Sequence, residues 1–311
     1  MKAITLKSPG GVENLEYTEI GKPDLREGEV LIRVKAIGIN PIDVKTRSGK
    51  GAYEKLKDQS PLILGWDVAG IVEESQSPLF NTGDEVFGMI NFPGHGKAYA
   101  EYVAAPADQL ALKPSNLSFE TAAASALVTL TAWQALVDHA NVQKGQNILI
   151  HAAAGGVGHI AVQIAKYLGA TVTGTSSLKN REFVLSLGAD QHINYHGFDW
   201  DAAPRNFDFV LDTIGGDNID KSLKVTKENG TIISIPSGMN EKVTEKAAAE
   251  GVKGYPTKVH SDGEDMKQIA SLLEKGIIKP YISHVFPFDK MKEAHLEQET
   301  GRTVGKIIIN L

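Results

Sequence analysis

The chain has 311 residues, 42% of them hydrophobic and 23% charged, the balance of a folded globular protein long enough for two domains. Its formal charge of -6 leaves no electrostatic footprint for nucleic acid or an anionic membrane surface, and no apolar run reaches the roughly 18 residues that a spanning helix needs. Cysteine is absent, which excludes disulfides, thiolate metal ligands and a cysteine nucleophile.

The opening residues lack the apolar core and cleavage pattern of a signal peptide, so a soluble cytoplasmic protein is expected. Residues 1–7, 29–38, 68–73, 85–89 and 98–104 read as short strands separated by turn signals. The alternation is clearest where Val30, Ile32, Val34 and Ala36 share one face and Arg33 and Lys35 the other. An antiparallel, barrel-like unit follows from that pattern. From Ser118 the chain reads as alanine-rich helices. A regular alternation begins at Gln146, with strands 147–151, 171–175, 192–194, 207–212 and 230–235 and helices 157–168 and 179–187. That order predicts a parallel sheet covered by helices on both faces. Beyond about residue 260 come a helix at 265–275, a strand near 281–285, a helix at 289–300 and a last strand at 306–311.

The strongest chemical signal is the strand-turn-helix NILIHAAAGGVGHIAVQIAKYLGA. Its turn, with Ala154, Gly155, Gly156, Val157 and Gly158, is a variant of G-x-G-x-x-G in which Ala153 takes the first glycine position. Gly155 lets a pyrophosphate approach the amides at the positive end of the helix, and Gly158 lets helix and strand pack closely. A tight turn with no ligand would use the same glycines, but the strand before and the amphipathic helix after stand where dinucleotide binding needs them. At the end of the second strand an NAD site would place Asp or Glu, and here stand Thr175, Ser176 and Ser177, followed by Lys179 and Arg181. Hydroxyls and a cation suit a 2′-phosphate, so NADPH is the expected cofactor. The plainer alternative has Ser176 capping the next helix and Lys179 in solvent. Farther on, Ile214, Ser234, Ile235 and Pro236 follow apolar strands whose ends open on the ligand crevice, and are candidates to line the nicotinamide half.

Taken in order, GINPIDVKTRSG, LGWDVAGIVEE, GDEVFGM, AYAEYVAAP, VTLTAWQAL, AAAGGVGHIAVQIAK and GRTVGKIII resemble the zinc-free quinone reductase and enone reductase branch of the medium-chain dehydrogenases. The resemblance implies a GroES-like β-rich catalytic domain of residues 1–119 and 260–311, with a doubly wound Rossmann domain of residues 120–259 inserted in it. Zinc-dependent members carry a G-H-E segment where this chain has Gly65, Trp66 and Asp67, and their zinc-binding cysteines are missing here. No metal is expected. His95, His139, His151 and His284 are isolated in sequence and read as hydrogen-bonded or solvated side chains.

A reductase without a Lewis acid must meet charge on the substrate oxygen with hydrogen bonds and fixed charge. Lys45 matches a position where similar enone oxidoreductases carry a lysine near the nicotinamide ribose and the substrate carbonyl; the alternative is a solvated lysine after a strand. Asn40 and Asp43 flank Pro41, which alone reads as an Asx-type turn. By resemblance Asn40 contacts substrate or cofactor, and Asp43 holds the loop and Lys45. Tyr53 is a candidate wall or proton donor. Thr131 and Tyr195 match cofactor-contacting positions, with Tyr195 near the 2′-phosphate, and Arg302 is expected to add a basic contact from the tail; each also suits a local cap or packing role. The resemblance thus implies NADPH-dependent reduction of an enone, a 2-alkenal or a quinone by a homodimer. A general quinone reductase, or a crystallin-like cofactor-binding protein with little catalysis, is the alternative.

Overall fold

The computed structural model describes residues 1–256 and 259–311. The chain divides into two compact units, one of Met1–Leu130 with Val259–Leu311 and the other of Thr131–Lys258. The first contributes strands β1 (Lys2–Leu6), β2 (Leu15–Glu19), β3 (Glu29–Ile39), β4 (Asp67–Ser75), β5 (Glu85–Met89), β6 (Tyr102–Pro106) and β7 (Ala111–Leu112). The second contributes β8 (Asn147–Ile150), β9 (Thr171–Ser176), β10 (Gln191–Asn194), β11 (Phe207–Asp212), β12 (Thr226–Ser234) and β13 (Lys253–Pro256). The chain then returns to the first unit with β14 (Ile282–Pro287) and β15 (Lys306–Asn310).

In the first unit, β3 is the axis. The sheet runs β14-β15-β3-β4-β5-β7, with β6 also paired to β3, while β1 and β2 form their own antiparallel pair. The expected alternation holds along β3: Val30, Ile32, Val34 and Ala36 are buried and Arg33 and Lys35 are half-buried. The strand expected at 98–104 begins only at Tyr102. Upstream, Ala98 N and Tyr99 N donate to Gly65 O and Leu64 O, and Ala100 makes a single bridge to Ala3. The Tyr99 ring lies so close to Gly65 that a Cβ there would stand 2.3 Å from it, so the close approach requires glycine at that position.

In the second unit, six parallel strands run β10-β9-β8-β11-β12-β13. Numbered from β8, this is the order 3-2-1-4-5-6 of a dinucleotide-binding sheet, whose strand order reverses between β8 and β11. The helix read at 179–187 is a 3-10 turn over Leu178–Asn180 followed by an α-helix over Arg181–Ser186. Two helices, Asn218–Val225 and Val243–Ala249, and the edge strand β13 were not legible in the sequence. The first runs straight into β12 at Thr226 with no turn residue between, so its end carries no signal. β12 starts before the expected Gly230 because Lys227 to Gly230 form a bulge, with Asn229 at φ +61.

Candidate active site

β8 delivers the chain into the glycine turn. Ala152 takes a positive φ of 47°, and Gly155 precedes the helix Gly156–Tyr167. The two glycines have different reasons. A Cβ on Gly158 would stand 2.2 Å from Ala152 O, so that glycine is demanded by helix-strand contact, whereas a Cβ on Gly155 would stand 3.3 Å from the same atom. Gly155, at the N-cap, has no side chain with which to cap the helix, and Gly156 and Val157 are partly exposed beside the buried Ala154. The amides of the first turn are therefore left to an anionic ligand, as a pyrophosphate requires. The residues present fit a dinucleotide.

At the end of β9 the buried Thr175 hydroxyl meets His151 Nδ1 at 3.2 Å, and His151 Nε2 meets Ser222 Oγ at 3.1 Å. Burial pushes this imidazole down to about 4, so it is a neutral bridge between β8, β9 and the helix Asn218–Val225. Ser176 does not cap the following turn; Ser177 holds that position, and Ser176 Oγ lies 2.8 Å from His192 Nε2 and 3.0 Å from Ser177 O. Lys179 is exposed, and Arg181 pairs with Glu182. Tyr195 is 47% exposed, with its amide donating to Ser176 O. Ser176, Ser177, Lys179 and Tyr195 thus belong to one corner of the sheet.

At the end of β11, the buried Asp212 carboxylate organises the next loop. It accepts from the amides of Ile214 and Gly215, from Asn218 Nδ2 at 2.9 Å and from Ser234 Oγ at 2.8 Å. The hydroxyl of Ser234 is therefore turned inward, while Ile214 is 40% exposed and Ile235 and Pro236 are half-buried. Thr131 is buried in the helix Ala126–Trp133.

In the first unit, Asp43 and Lys45 lie on one short helix, Pro41–Arg47, that begins where β3 ends, with Asn40 as its N-cap. Pro41 starts it, and Asn40 and Asp43 form a capping box, with Asn40 N donating to Asp43 Oδ2 at 2.7 Å. The Asn40 amide is committed inward: Nδ2 donates to Asp67 Oδ2 at 2.7 Å and Oδ1 accepts from Lys306 Nζ at 2.5 Å. Lys306 also donates to Ile39 O at 2.8 Å, and Asp67 Oδ1 accepts from Leu127 N at 2.9 Å. Burial raises Asp67 and lowers Lys306, with their mutual attraction opposing both shifts. Burial also pushes Asp43 up to about 7, despite the Asn40 amide and Lys306. Asp43 Oδ1 has no hydrogen-bond partner of good geometry among the described residues, and the nearby Tyr99 hydroxyl is engaged with His295 Nε2 at 3.0 Å.

Lys45, half-buried, sits in the last turn of the same helix. The segment after it folds back: Gly51 takes φ +57, where a Cβ would stand 3.2 Å from Lys45 Cβ, and Ala52 N donates to Thr46 Oγ1. This places the half-buried Tyr53 at the start of a short helix beside that of Lys45. Arg302 is exposed in the loop before β15. Trp66, at the position of the histidine in G-H-E, is fully buried; its Nε1 donates to Gly94 O at 2.8 Å and its ring meets Phe92 edge-on.

The sequence reading missed Lys306, Asp67 as its partner, and His192. A lysine heading the otherwise apolar KIII run was the available signal for Lys306, since an inward cation in a central strand needs an anion.

Residues 26–115 match the family model described as "Alcohol dehydrogenase GroES-like domain", and residues 187–309 the one described as "Zinc-binding dehydrogenase". The chain is 36% identical to the 2-methylene-furan-3-one reductase of Solanum lycopersicum, over 100% of this chain and 79% of that protein. It is 34% identical to the chloroplastic NADPH-dependent alkenal/one oxidoreductase of Arabidopsis thaliana, over 99% of this chain and 79% of the relative. The quinone oxidoreductase structure from Coxiella burnetii superposes with a TM-score of 0.94 at 38% identity, covering 100% of this chain and 99% of that one. The chain therefore belongs to the medium-chain dehydrogenase/reductase family, in the branch that holds the quinone and alkenal/one oxidoreductases.

Proposed function

We propose that the protein is an NADPH-dependent reductase that delivers hydride to the activated double bond of an enone or 2-alkenal, or to a quinone, without zinc. The observation that carries the reading is the end of β9, where serine hydroxyls, Lys179 and Tyr195 stand in place of the carboxylate that would accept from an NAD ribose. The names of the relatives, an alkenal/one oxidoreductase and a quinone oxidoreductase among them, support the substrate class.

Bound NADPH supplies a hydride from nicotinamide C4. The amides that follow Gly155 hold the pyrophosphate, and Ser176, Ser177, Lys179 and Tyr195 hold the 2′-phosphate. Thr131, Ile214, Ile235, Pro236 and the backbone of Ser234 line the nicotinamide half, and Arg302 adds a basic contact. Lys45 meets the negative charge that develops on the substrate oxygen. Asn40 and Asp43 act on Lys45 by fixing the start of its helix, and Tyr53 forms a wall or donates the proton. The reading extends to a cytoplasmic homodimer paired through the dinucleotide-binding unit, for which light scattering is the check.

The test is steady-state oxidation of NADPH and NADH with 1,2-quinones, 1,4-quinones, 2-alkenals and cyclic enones, repeated with Lys45→Ala. NADPH is expected to be preferred, and Lys45→Ala to lower kcat for enones by about 10²-fold, the usual cost of removing one oxyanion donor. A clear preference for NADH sinks the cofactor assignment. Tight NADPH binding without turnover on any substrate identifies a cofactor-binding protein instead.

A further inference from the structure

The corner that reads the adenosine ribose contains a titratable group outside the glycine turn. His192 lies on β10 in register with Gly174 of β9, and Asn194 is in register with Ser176. His192 and Asn194 share a face of β10, which makes His192 the diagonal neighbour of Ser176. Its Nε2 stands 2.8 Å from Ser176 Oγ, and the same hydroxyl lies 3.0 Å from Ser177 O.

A serine hydroxyl has one hydrogen to give. If it goes to Ser177 O, His192 must donate from Nε2; if it goes to Nε2, that nitrogen must be bare. A protonated His192 allows only the first arrangement. It also places a positive charge at the end of β9, which the proposed function assigns to the 2′-phosphate.

The charged groups around His192 are Arg181 and Glu182, on the helix Arg181–Ser186 that packs against β10. The exposed Lys179 precedes that helix, and Tyr195 follows β10. Burial and the Arg181 guanidinium hold His192 below the ordinary imidazole value, with Glu182 opposing. In the free protein at neutral pH the ring is therefore neutral and has a proton to gain.

We infer that His192 is a specificity-determining residue of the 2′-phosphate subsite, which takes a proton from solvent when a 2′-phosphorylated dinucleotide binds and not when an unphosphorylated one does. This rests on the reading of the β9 end as an NADPH site. A dianion next to the ring favours its charged form, so binding and protonation strengthen each other. NADPH affinity then rises as pH falls toward the His192 value of the free protein.

Titration calorimetry of the full chain with NADPH and with NADH at pH 7, in buffers of different ionisation enthalpy, counts the protons taken up. The phosphate's own ionisation contributes to every protein alike, so the readout is the difference between wild type and the variants His192→Asn and His192→Gln. Wild type is expected to take up more proton with NADPH than either variant, with no difference among the three for NADH. Each variant is expected to lose up to about tenfold in NADPH affinity at pH 6, the equivalent of one pKa unit, with NADH affinity unchanged. Equal proton counts with NADPH in wild type and both variants overturn the role of His192 while leaving NADPH preference intact. An NADH affinity above that for NADPH in the wild type overturns the subsite itself.

Discussion

Lys306 Nζ lies 2.5 Å from Asn40 Oδ1, joining residues 266 positions apart at the head of the helix that carries Lys45. The Lys306 side chain is 3% exposed, and its ammonium is shared with Ile39 O and Asp67 Oδ2. A cation so buried is tolerated only while its acceptors are present, and the acceptors only while it is.

Lys306→Met is therefore expected to destabilise the fold by about 3–5 kcal/mol, because it strands Asp67 in the core. Adding Asp67→Asn should recover part of the loss. Urea unfolding of both variants checks this, and simple additivity of the two substitutions would show that the pair is not coupled.

Asp43 gives a pH dependence of defined sign. Its value is about 7 in the folded protein and near the ordinary carboxylate value when unfolded, so the native state binds the extra proton. Stability is expected to fall as pH rises from 4 to 7, at a maximum of about 1.4 kcal/mol per pH unit. Asp43→Asn keeps an acceptor for the Asn40 amide and removes the titration. Its unfolding free energy should vary less than wild type over that range and exceed it at pH 8; parallel curves would show that Asp43 is not the group responsible.

The two glycines of the turn should separate stability from binding. Gly158→Ala puts a Cβ against Ala152 O at 2.2 Å and is expected to lower the melting temperature by several degrees, in line with about 1–3 kcal/mol of overpacking. Gly155→Ala meets the same atom at 3.3 Å, leaving the fold nearly intact while weakening NADPH binding by about tenfold. Differential scanning fluorimetry with and without NADPH measures both. Equal thermal loss in the two variants contradicts the distinction.

Ser177→Asp places a carboxylate at the N-cap position that follows β9, where aspartate caps well. It is expected to shift the ratio of kcat/KM from NADPH toward NADH by about 10-fold or more, by repelling the 2′-phosphate and accepting from a ribose hydroxyl. An unchanged ratio would place the ribose elsewhere.

Much of this molecule was legible before its fold. The period-two pattern of Val30, Ile32, Val34 and Ala36 marked the strand β3, and the AAGGVG turn between an apolar strand and an amphipathic helix marked a dinucleotide site. Both signals are local, because side-chain direction follows chain position within one element. Missing cysteine and the serines at the end of β9 were equally direct, since composition and identity need no geometry. The partner of Asn40 was not legible. Lys306 reaches it only because β15 pairs antiparallel to β3, and no spacing rule connects residues so far apart. The bond from His192 to Ser176 likewise depends on the register of β10 on β9, which a single residue of slip would abolish. Tertiary structure alone decided that Asn40 faces the core, that Ser234 turns inward to Asp212, and that Asp43 is buried deeply enough to titrate near neutrality. Each of these follows from which strands become neighbours, and hence from packing over the whole chain.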